Sequence, residues 1–351
     1  MGEGPTLAEL GEWELIRRLG AFAPPGQFRD DAALIPDGLV INTDVLVEGL
    51  HFSEATTSAA DVGWRAAMAN LSDLAAMGCL EVVGLTVGLV APPSTPWSWV
   101  EGVYGGLADA LATCGGVILG GDCSGGHDRL LAITAIGRLA PPPLEATSAG
   151  GPPGSIRRSP ILRGPIRRGD GRPGDWLVSS GLHGLSRLGL ALLREPAAPL
   201  VARLAPRLRA RAIQAHQRPQ ARFDAVRALV TSRPEATPWR VGGCDSSDGL
   251  AAAVGTIAAM SGCGARLERA SLPLDAGMAT LAEAEGWCLA GGEDFELVLA
   301  LEPAWARALV ATLPGSGVIG ALVAGPAGEL RWASPVGDGD RIEPKGYSHF
   351  G

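Results

Sequence analysis

The feature that most limits the fold is an alternation of strand-like and helix-like segments through residues 6–139, broken by a stretch that fits neither. Thr6 to Leu19 reads as a short helix, with Thr6 and Glu9 in capping-box spacing and Gly20 as a stop. Leu39 to Asn42 is an apolar run ending at Thr43-Asp44, which places those two polar residues at a strand terminus. Asp61 to Met77 has helical period, Glu81 to Val90 reads as a strand and Trp97 to Cys114 as a helix. Val117 to Leu119 is expected to be a buried strand running into Gly120-Gly121-Asp122, and Leu130 to Leu139 is another strand. Such alternation predicts an α/β or α+β fold.

Pro, Gly, Ser and Arg dominate from Ala140 to Gly174, the composition of a loop or linker. Trp176 to Ser180 resumes as a strand, followed by helices over Leu185–Leu193, Phe223–Val230 and Leu250–Met260. Glu195 to Arg218 is marked only by recurring proline and arginine, and Phe295–Leu301 and Glu302–Leu313 read as a strand and a helix. The expected organisation is a domain over 1–140, a Pro/Gly/Arg-rich linker or insert over 141–170, and an α/β domain over 171–351.

Several function classes fall away. The net charge of −8 opposes a nucleic-acid partner held by phosphate neutralisation. No apolar run approaches the ~18 residues of a membrane span, and Met1–Leu10 carries glutamates without a basic region, so a cytoplasmic protein is expected. Cys79, Cys114, Cys123, Cys244, Cys263 and Cys288 are scattered without metal-ligand spacing and read as reduced, small apolar residues. Lys345 is the only lysine, so the lysine of a P-loop or of a protein-kinase strand is missing. If the chain handles ATP, metal ions, arginine and backbone amides must meet the phosphate charge.

Acidic residues stand where the coarse reading ends a strand or opens a helix: Asp30-Asp31, Asp44, Asp73, Asp122, Asp245, Asp248 and Glu293-Asp294. Carboxylates brought from separate turns are what a Mg²⁺ site requires. Each alone has a plainer reading, and Asp245 or Asp248 could simply cap the helix after Gly249. Asp73 is the exception, because a carboxylate among Leu71, Leu74, Ala75, Ala76 and Met77 is costly to bury unpaired.

The strings Arg29-Asp30-Asp31-Ala32-Ala33, Thr43-Asp44-Val45-Leu46-Val47-Glu48-Gly49-Leu50-His51-Phe52 and Asn70-Leu71-Ser72-Asp73-Leu74-Ala75-Ala76-Met77-Gly78 resemble the first three motifs of thiamine-monophosphate kinases. Gly120-Gly121-Asp122, Pro173-Gly174-Asp175, Asp245-Ser246-Ser247-Asp248-Gly249-Leu250, Gly291-Gly292-Glu293-Asp294-Phe295-Glu296-Leu297 and Lys345-Gly346-Tyr347-Ser348-His349-Phe350 continue the series in the family's order. Arg29 stands where the family usually has glycine, and Ala140–Arg163 is longer than the family's connection.

The resemblance implies a two-domain fold of the aminoimidazole-ribonucleotide-synthetase type, dimeric through its N-terminal domains. By position, Asp31, Thr43, Asp44, Asp73, Asp122, Asp245 and Asp248 are similar to the family's magnesium-binding set. Tyr104, Gly121, Asp122, Arg168 and Ser247 fall where ATP is contacted, and His51, Glu293 and Tyr347 where thiamine phosphate is held. His51 also reads as an ordinary loop residue, and Tyr104 as helix packing. The implied reaction is direct, Mg²⁺-assisted transfer of the ATP γ-phosphoryl group to thiamine phosphate, with no catalytic side chain required. The alternatives are another acceptor within the same superfamily, or a nucleotide-binding scaffold without activity.

Overall fold

The computed structural model describes residues 4–139, 164–333 and 341–347; the predicted insert over Ala140–Arg163 and the terminal Ser348-His349-Phe350 lie outside the described residues. β1 (Ala33–Ile35), β2 (Leu39–Val47), β3 (Glu81–Ala91), β4 (Val117–Gly125) and β5 (Leu130–Arg138) form one sheet in the order β1-β2-β5-β3-β4. β6 (Trp176–Ser179), β7 (Gly242–Asp245), β8 (Gly264–Leu267), β9 (Leu297–Leu301), β10 (Gly317–Val323), β11 (Leu330–Trp332) and β12 (Arg341–Ile342) form a second, in the order β12-β11-β8-β10-β6-β9-β7. The β3–β4 and β8–β11 pairs are parallel and the other ladders antiparallel. The helices are α1 (Leu7–Leu19), α2 (Ala59–Ala76), α3 (Trp97–Cys114), α4 (Leu185–Arg194), α5 (Pro199–Arg203), α6 (Pro206–Gln217), α7 (Phe223–Thr231), α8 (Leu250–Met260), α9 (Ala284–Ala290) and α10 (Pro303–Thr312). Among the described residues, no helix is long and apolar enough to cross a membrane.

β2 does not stop at Thr43-Asp44. Val45, Leu46 and Val47 extend the apolar run, and β5 pairs with it along its whole length. Alternation then assigns the side chains: Val40 and Leu46 are buried toward α2, while Val45 is 43% exposed on the other face. β4 also departs from expectation, because Val117 and Leu119 are 59% and 47% exposed. Among the described residues β4 is the last strand of the sheet, and none of them pairs with its outer edge or covers its apolar side chains.

α2 and α3 cover one face of the first sheet. Ser58 caps α2 by accepting the Asp61 N–H, and the helix buries almost every residue from Val62 to Ala76. The two helices touch through glycine: a Cβ on Gly63 would lie 1.9 Å from Val103 O, and one on Gly106 only 1.8 Å from Ala60 O. Leu71, Leu74, Ala75 and Met77 are 1% exposed or less, as expected around Asp73. Each larger side chain contributes about 2 kcal/mol by burial, which fixes α2 as a rigid base. Within the second half, α5 and α6 occupy the segment read only as proline- and arginine-rich; Pro199 and Pro206 sit in their first turns, where proline starts a helix rather than breaking it. Ile166, inside the segment read as linker, is 1% exposed; it donates its N–H to Met77 O, and Arg167 bridges to Gly242 of β7.

Candidate functional site

The polar residues of the last turns of α2 tie the two sheets together. Asn70 Oδ1 accepts the Asp44 N–H at 3.1 Å and Asn42 Nδ2 at 3.3 Å. Asn42 Nδ2 also donates to Asp73 Oδ2 at 2.7 Å, and Ser72 Oγ donates to Asp245 Oδ2 at 2.7 Å. Asp245 Oδ1 in turn accepts Ser247 Oγ at 2.8 Å and Ser247 N–H at 3.2 Å. The result is that one oxygen from each of Asp31, Asp73 and Asp245 lies within 4.8 Å of the others. A loop, the last turns of α2 and the end of β7, far apart in sequence, converge on one point.

Three carboxylates so close repel one another. Burial pushes the Asp73 carboxyl well above its ordinary value, and the charges of Asp44, Asp245 and Asp31 push the same way. Asp31, whose side chain is 2% exposed, is raised to about 7 by burial, against the opposing Arg168 guanidinium. Burial raises Asp248 to about 6, with Asp245 and Glu12 of α1 adding repulsion. The donors fit a hard divalent cation: all are oxygens, and Asn42 Oδ1, beside Asp73, is buried without a hydrogen-bond partner. Neither Asp245 nor Asp248 caps α8, whose N-cap is Gly249 without any side-chain bond, so the capping alternative fails.

Arg168 is paired to carboxylates on this side of the site, with Nη2 on Asp31 Oδ1 at 2.6 Å and its N–H on Asp30 Oδ1 at 3.0 Å. Its buried Nε has no partner. Tyr347 reaches the same rim, donating its N–H to Asp248 O at 3.2 Å while its side chain stays 49% exposed.

Two expected metal ligands lie elsewhere. Thr43 faces away from α2, with Oγ1 2.8 Å from Thr134 Oγ1. Asp122 pairs through Gly88 and Ala132 to Val45, so it shares that uncovered face. It stands three strands from β2, roughly 14 Å at ordinary strand spacing. Gly121 has a structural reason to be glycine, since a Cβ would lie 1.9 Å from Val87 O. Tyr104 is half-buried against the core, close enough to Cys123 for burial and that thiol to raise its hydroxyl's pKa.

At the other end, Glu293 sits in a backbone that costs energy to hold: Gly292, Glu293 and Phe295 have φ of 68°, 58° and 51°. Side chains pin this turn on both sides. Asp294 accepts the Gly184 and Ser186 N–H groups at 2.7 and 3.1 Å, and Glu293 donates its N–H to Ser247 O at 2.7 Å. The Glu293 carboxylate pairs with Arg65 of α2, whose side chain is 3% exposed. Burial opposes its ionisation, but the Arg65 guanidinium outweighs it and holds the carboxyl below its ordinary value. Arg65 also donates to the carbonyls of His216 and His51. His51 Nδ1 accepts the Val47 N–H at 3.0 Å, so its proton resides on Nε2. Burial and Arg65 push His216 down to about 4, leaving it neutral. Asn42, Arg65 and His216 were absent from the expected set; the signal for Arg65 was a charge in the apolar run Val62–Met68.

Comparison with known proteins identifies the family. Residues 29–139 match the family model for the AIR synthase related protein N-terminal domain. The chain is 44% identical to the thiamine-monophosphate kinase of Prochlorococcus marinus, over 98% of its own length and 97% of that protein's. It is 43% identical to that of Synechococcus elongatus, over 98% of each chain. Among solved structures, "AaThiL complexed with AMPPCP and TMP" superposes with a TM-score of 0.79 at 26% identity, covering 99% of this chain and 100% of that one. The hydrogenase maturation protein HypE, at 18% identity and TM-score 0.65 over 93% and 95% of the two chains, shares the fold. With the acidic cluster at its centre and relatives matched over nearly its full length, this chain belongs to the thiamine-monophosphate kinase family.

Proposed function

We propose that this protein transfers the γ-phosphoryl group of ATP to thiamine phosphate, giving thiamine diphosphate, at the Asp31–Asp73–Asp245 cluster. The observation that carries the reading is the convergence of those three carboxylates beside the unpartnered Asn42 Oδ1. Asp31, Asp73 and Asp245, with Asp44, Asp248 and Asn42 beside them, would hold Mg²⁺. When bound, Mg²⁺ neutralises and aligns the phosphates in phosphoryl transfer. The chain's own residues orient the site: Ser72 and Ser247 fix the two oxygens of Asp245, Asn42 fixes Asp73, and Arg168 neutralises Asp31. A phosphate oxygen is already a nucleophile near neutral pH, so no side chain need act as a strong base. Tyr104, Gly121 and Ser247 contact ATP in this reading. His51, Glu293 and Tyr347 hold thiamine phosphate, with Arg65 keeping Glu293 ionised and in place.

The protein works as a cytoplasmic homodimer of two-domain chains, divided at 1–140 and 171–351. What supports the dimer is the uncovered face of the first sheet, where Val45, Val117 and Leu119 are exposed beside Thr43 and Asp122. Two such faces laid together bury that apolar surface and let Thr43 of one copy approach the other copy's strands.

The test is incubation with ATP, Mg²⁺ and thiamine phosphate, followed by chromatography for thiamine diphosphate. Free thiamine lacks the anionic nucleophile and is expected to remain unphosphorylated; its efficient conversion to the monophosphate would sink the assignment.

A further inference from the structure

His183 is fully buried between the turn that carries Asp245 and the turn that carries Glu293, yet it belongs to neither. It sits in the β6–α4 turn, and the bonds around it have a definite direction. Ser179 Oγ donates to Gly181 O at 2.8 Å, so that hydroxyl's proton is committed. Toward His183 Nδ1, 3.3 Å away, Ser179 Oγ therefore acts as acceptor, and the imidazole proton lies on Nδ1. Nε2 is left with a lone pair facing Ser246 Oγ at 3.0 Å, so Ser246 donates to it. The oxygen of Ser246 then accepts the Glu296 N–H at 3.2 Å. One oriented chain runs from the Glu293–Glu296 turn through Ser246 to His183 and the β6 end. Burial keeps the ring neutral, as this chain of donors requires.

Ser246 lies between Asp245, a member of the acidic cluster, and Ser247, which holds Asp245 Oδ1 and accepts the Glu293 N–H. A shift of the backbone at Ser246 would move both contacts. We propose that His183 is a positioning residue: by accepting from Ser246 it sets the Asp245–Asp248 turn against the Glu293–Glu296 turn, and with it the geometry of the cation site. The inference rests on the kinase reading only in taking the acidic cluster as that cation site.

Two substitutions separate this role from simple packing. In His183→Gln the side-chain oxygen reaches the Nε2 position and can still accept from Ser246. In His183→Asn the amide reaches only the Nδ1 position and leaves Ser246 without its acceptor. Both remove the ring, so both should lower the melting temperature by similar amounts. Mn²⁺ affinity is measured on the protein without nucleotide, by the loss of the free-ion electron paramagnetic resonance signal, alongside KM for ATP and for thiamine phosphate. The expected result is Mn²⁺ affinity about tenfold weaker in His183→Asn and near wild type in His183→Gln, with Ser246→Ala matching His183→Asn and the double variant adding nothing further. Equal Mn²⁺ affinities for the Gln and Asn variants, or additive losses for Ser246→Ala and His183→Asn, would overturn the positioning role. Wild-type protein that binds no Mn²⁺ would overturn the cation site itself, and the inference with it.

Discussion

Asp73 sets the energetics of the site at the scale of single residues. It must be ionised to hold a cation, yet burial and three neighbouring carboxylates favour its protonated form. The sign follows from those raised values. A carboxyl whose folded pKa lies above its unfolded one stabilises the fold while protonated, fully below about pH 4, and that contribution is lost as pH rises. For Asp31 the loss begins near the ordinary carboxylate value of 3.8 and is complete near about 7. Without divalent cations the melting temperature should therefore fall between about pH 4 and about pH 7, and saturating Mg²⁺ should flatten the slope by replacing the lost protons; scanning calorimetry at both extremes checks this. Asp73→Asn keeps the side chain's size but, on the proposed reading, removes a negative ligand from the cation site. Cation-assisted charge stabilisation is worth several kcal/mol and each ~1.4 kcal/mol is tenfold in rate, so turnover should drop on the order of a hundredfold with the protein still folded. The metal-free melting temperature of the variant should rise, because one of the crowded charges is gone. Near-wild-type turnover at limiting Mg²⁺ would remove Asp73 from the site.

At the scale of elements, the site depends on how closely α2 lies on its neighbours. Gly106 of α3 faces Ala60 O of α2 with no space for a side chain. Gly106→Val must push backbone against backbone, which is expected to cost about 2–3 kcal/mol. Because Asn70, Ser72 and Asp73 ride on the same helix, the Mg²⁺ requirement should rise along with the loss in melting temperature. A variant that melts early but keeps its Mg²⁺ dependence would show that α2 holds its place through the sheet alone. Much of this was legible in the sequence: α2, α3, β3 and β5 are long, strongly patterned segments whose period decides their type. Short or polar elements were not. β7 and β8 are four residues each and open on glycine, α6 was hidden by the proline that starts it, and Thr43-Asp44 interrupts an apolar run that β5 pairing carries through. Within the site, Asp31, Asp73 and Asp245 were readable because acidic residues stand out beside apolar strings. Asn42 was not, since its contact with Asn70 crosses 28 residues, and Arg65 showed only as a charge in an apolar run whose partner Glu293 lies 228 residues away.

For the whole molecule, the question is what covers the first sheet. Its inner face is closed by α2 and α3, while its outer face carries Thr43, Val45, Val117, Leu119 and Asp122 with no helix over them among the described residues. A parallel edge strand with exposed valine and leucine is an association hazard unless a partner takes it. In one chain Thr43 and Asp122 are about three strand spacings apart, too far to share a cation. Face-to-face packing of two copies reverses strand order across the interface, so the Asp122 of one copy can approach Thr43 of the other. That geometry would reunite residues that the family resemblance groups as ligands and that a single chain keeps apart. It predicts that assembly and activity fail together. Leu119→Glu puts a charge into the contact without touching α2, β7 or the Glu293 turn. Sedimentation velocity should show wild type as a dimer and the variant shifted toward monomer, with the monomer folded by circular dichroism. Turnover should then fall at dilute protein and recover as concentration drives the variant back to dimer. A monomeric Leu119→Glu protein with full turnover and unchanged Mg²⁺ dependence would show that each chain completes its own site, and that Thr43 and Asp122 belong to the sheet rather than to the chemistry.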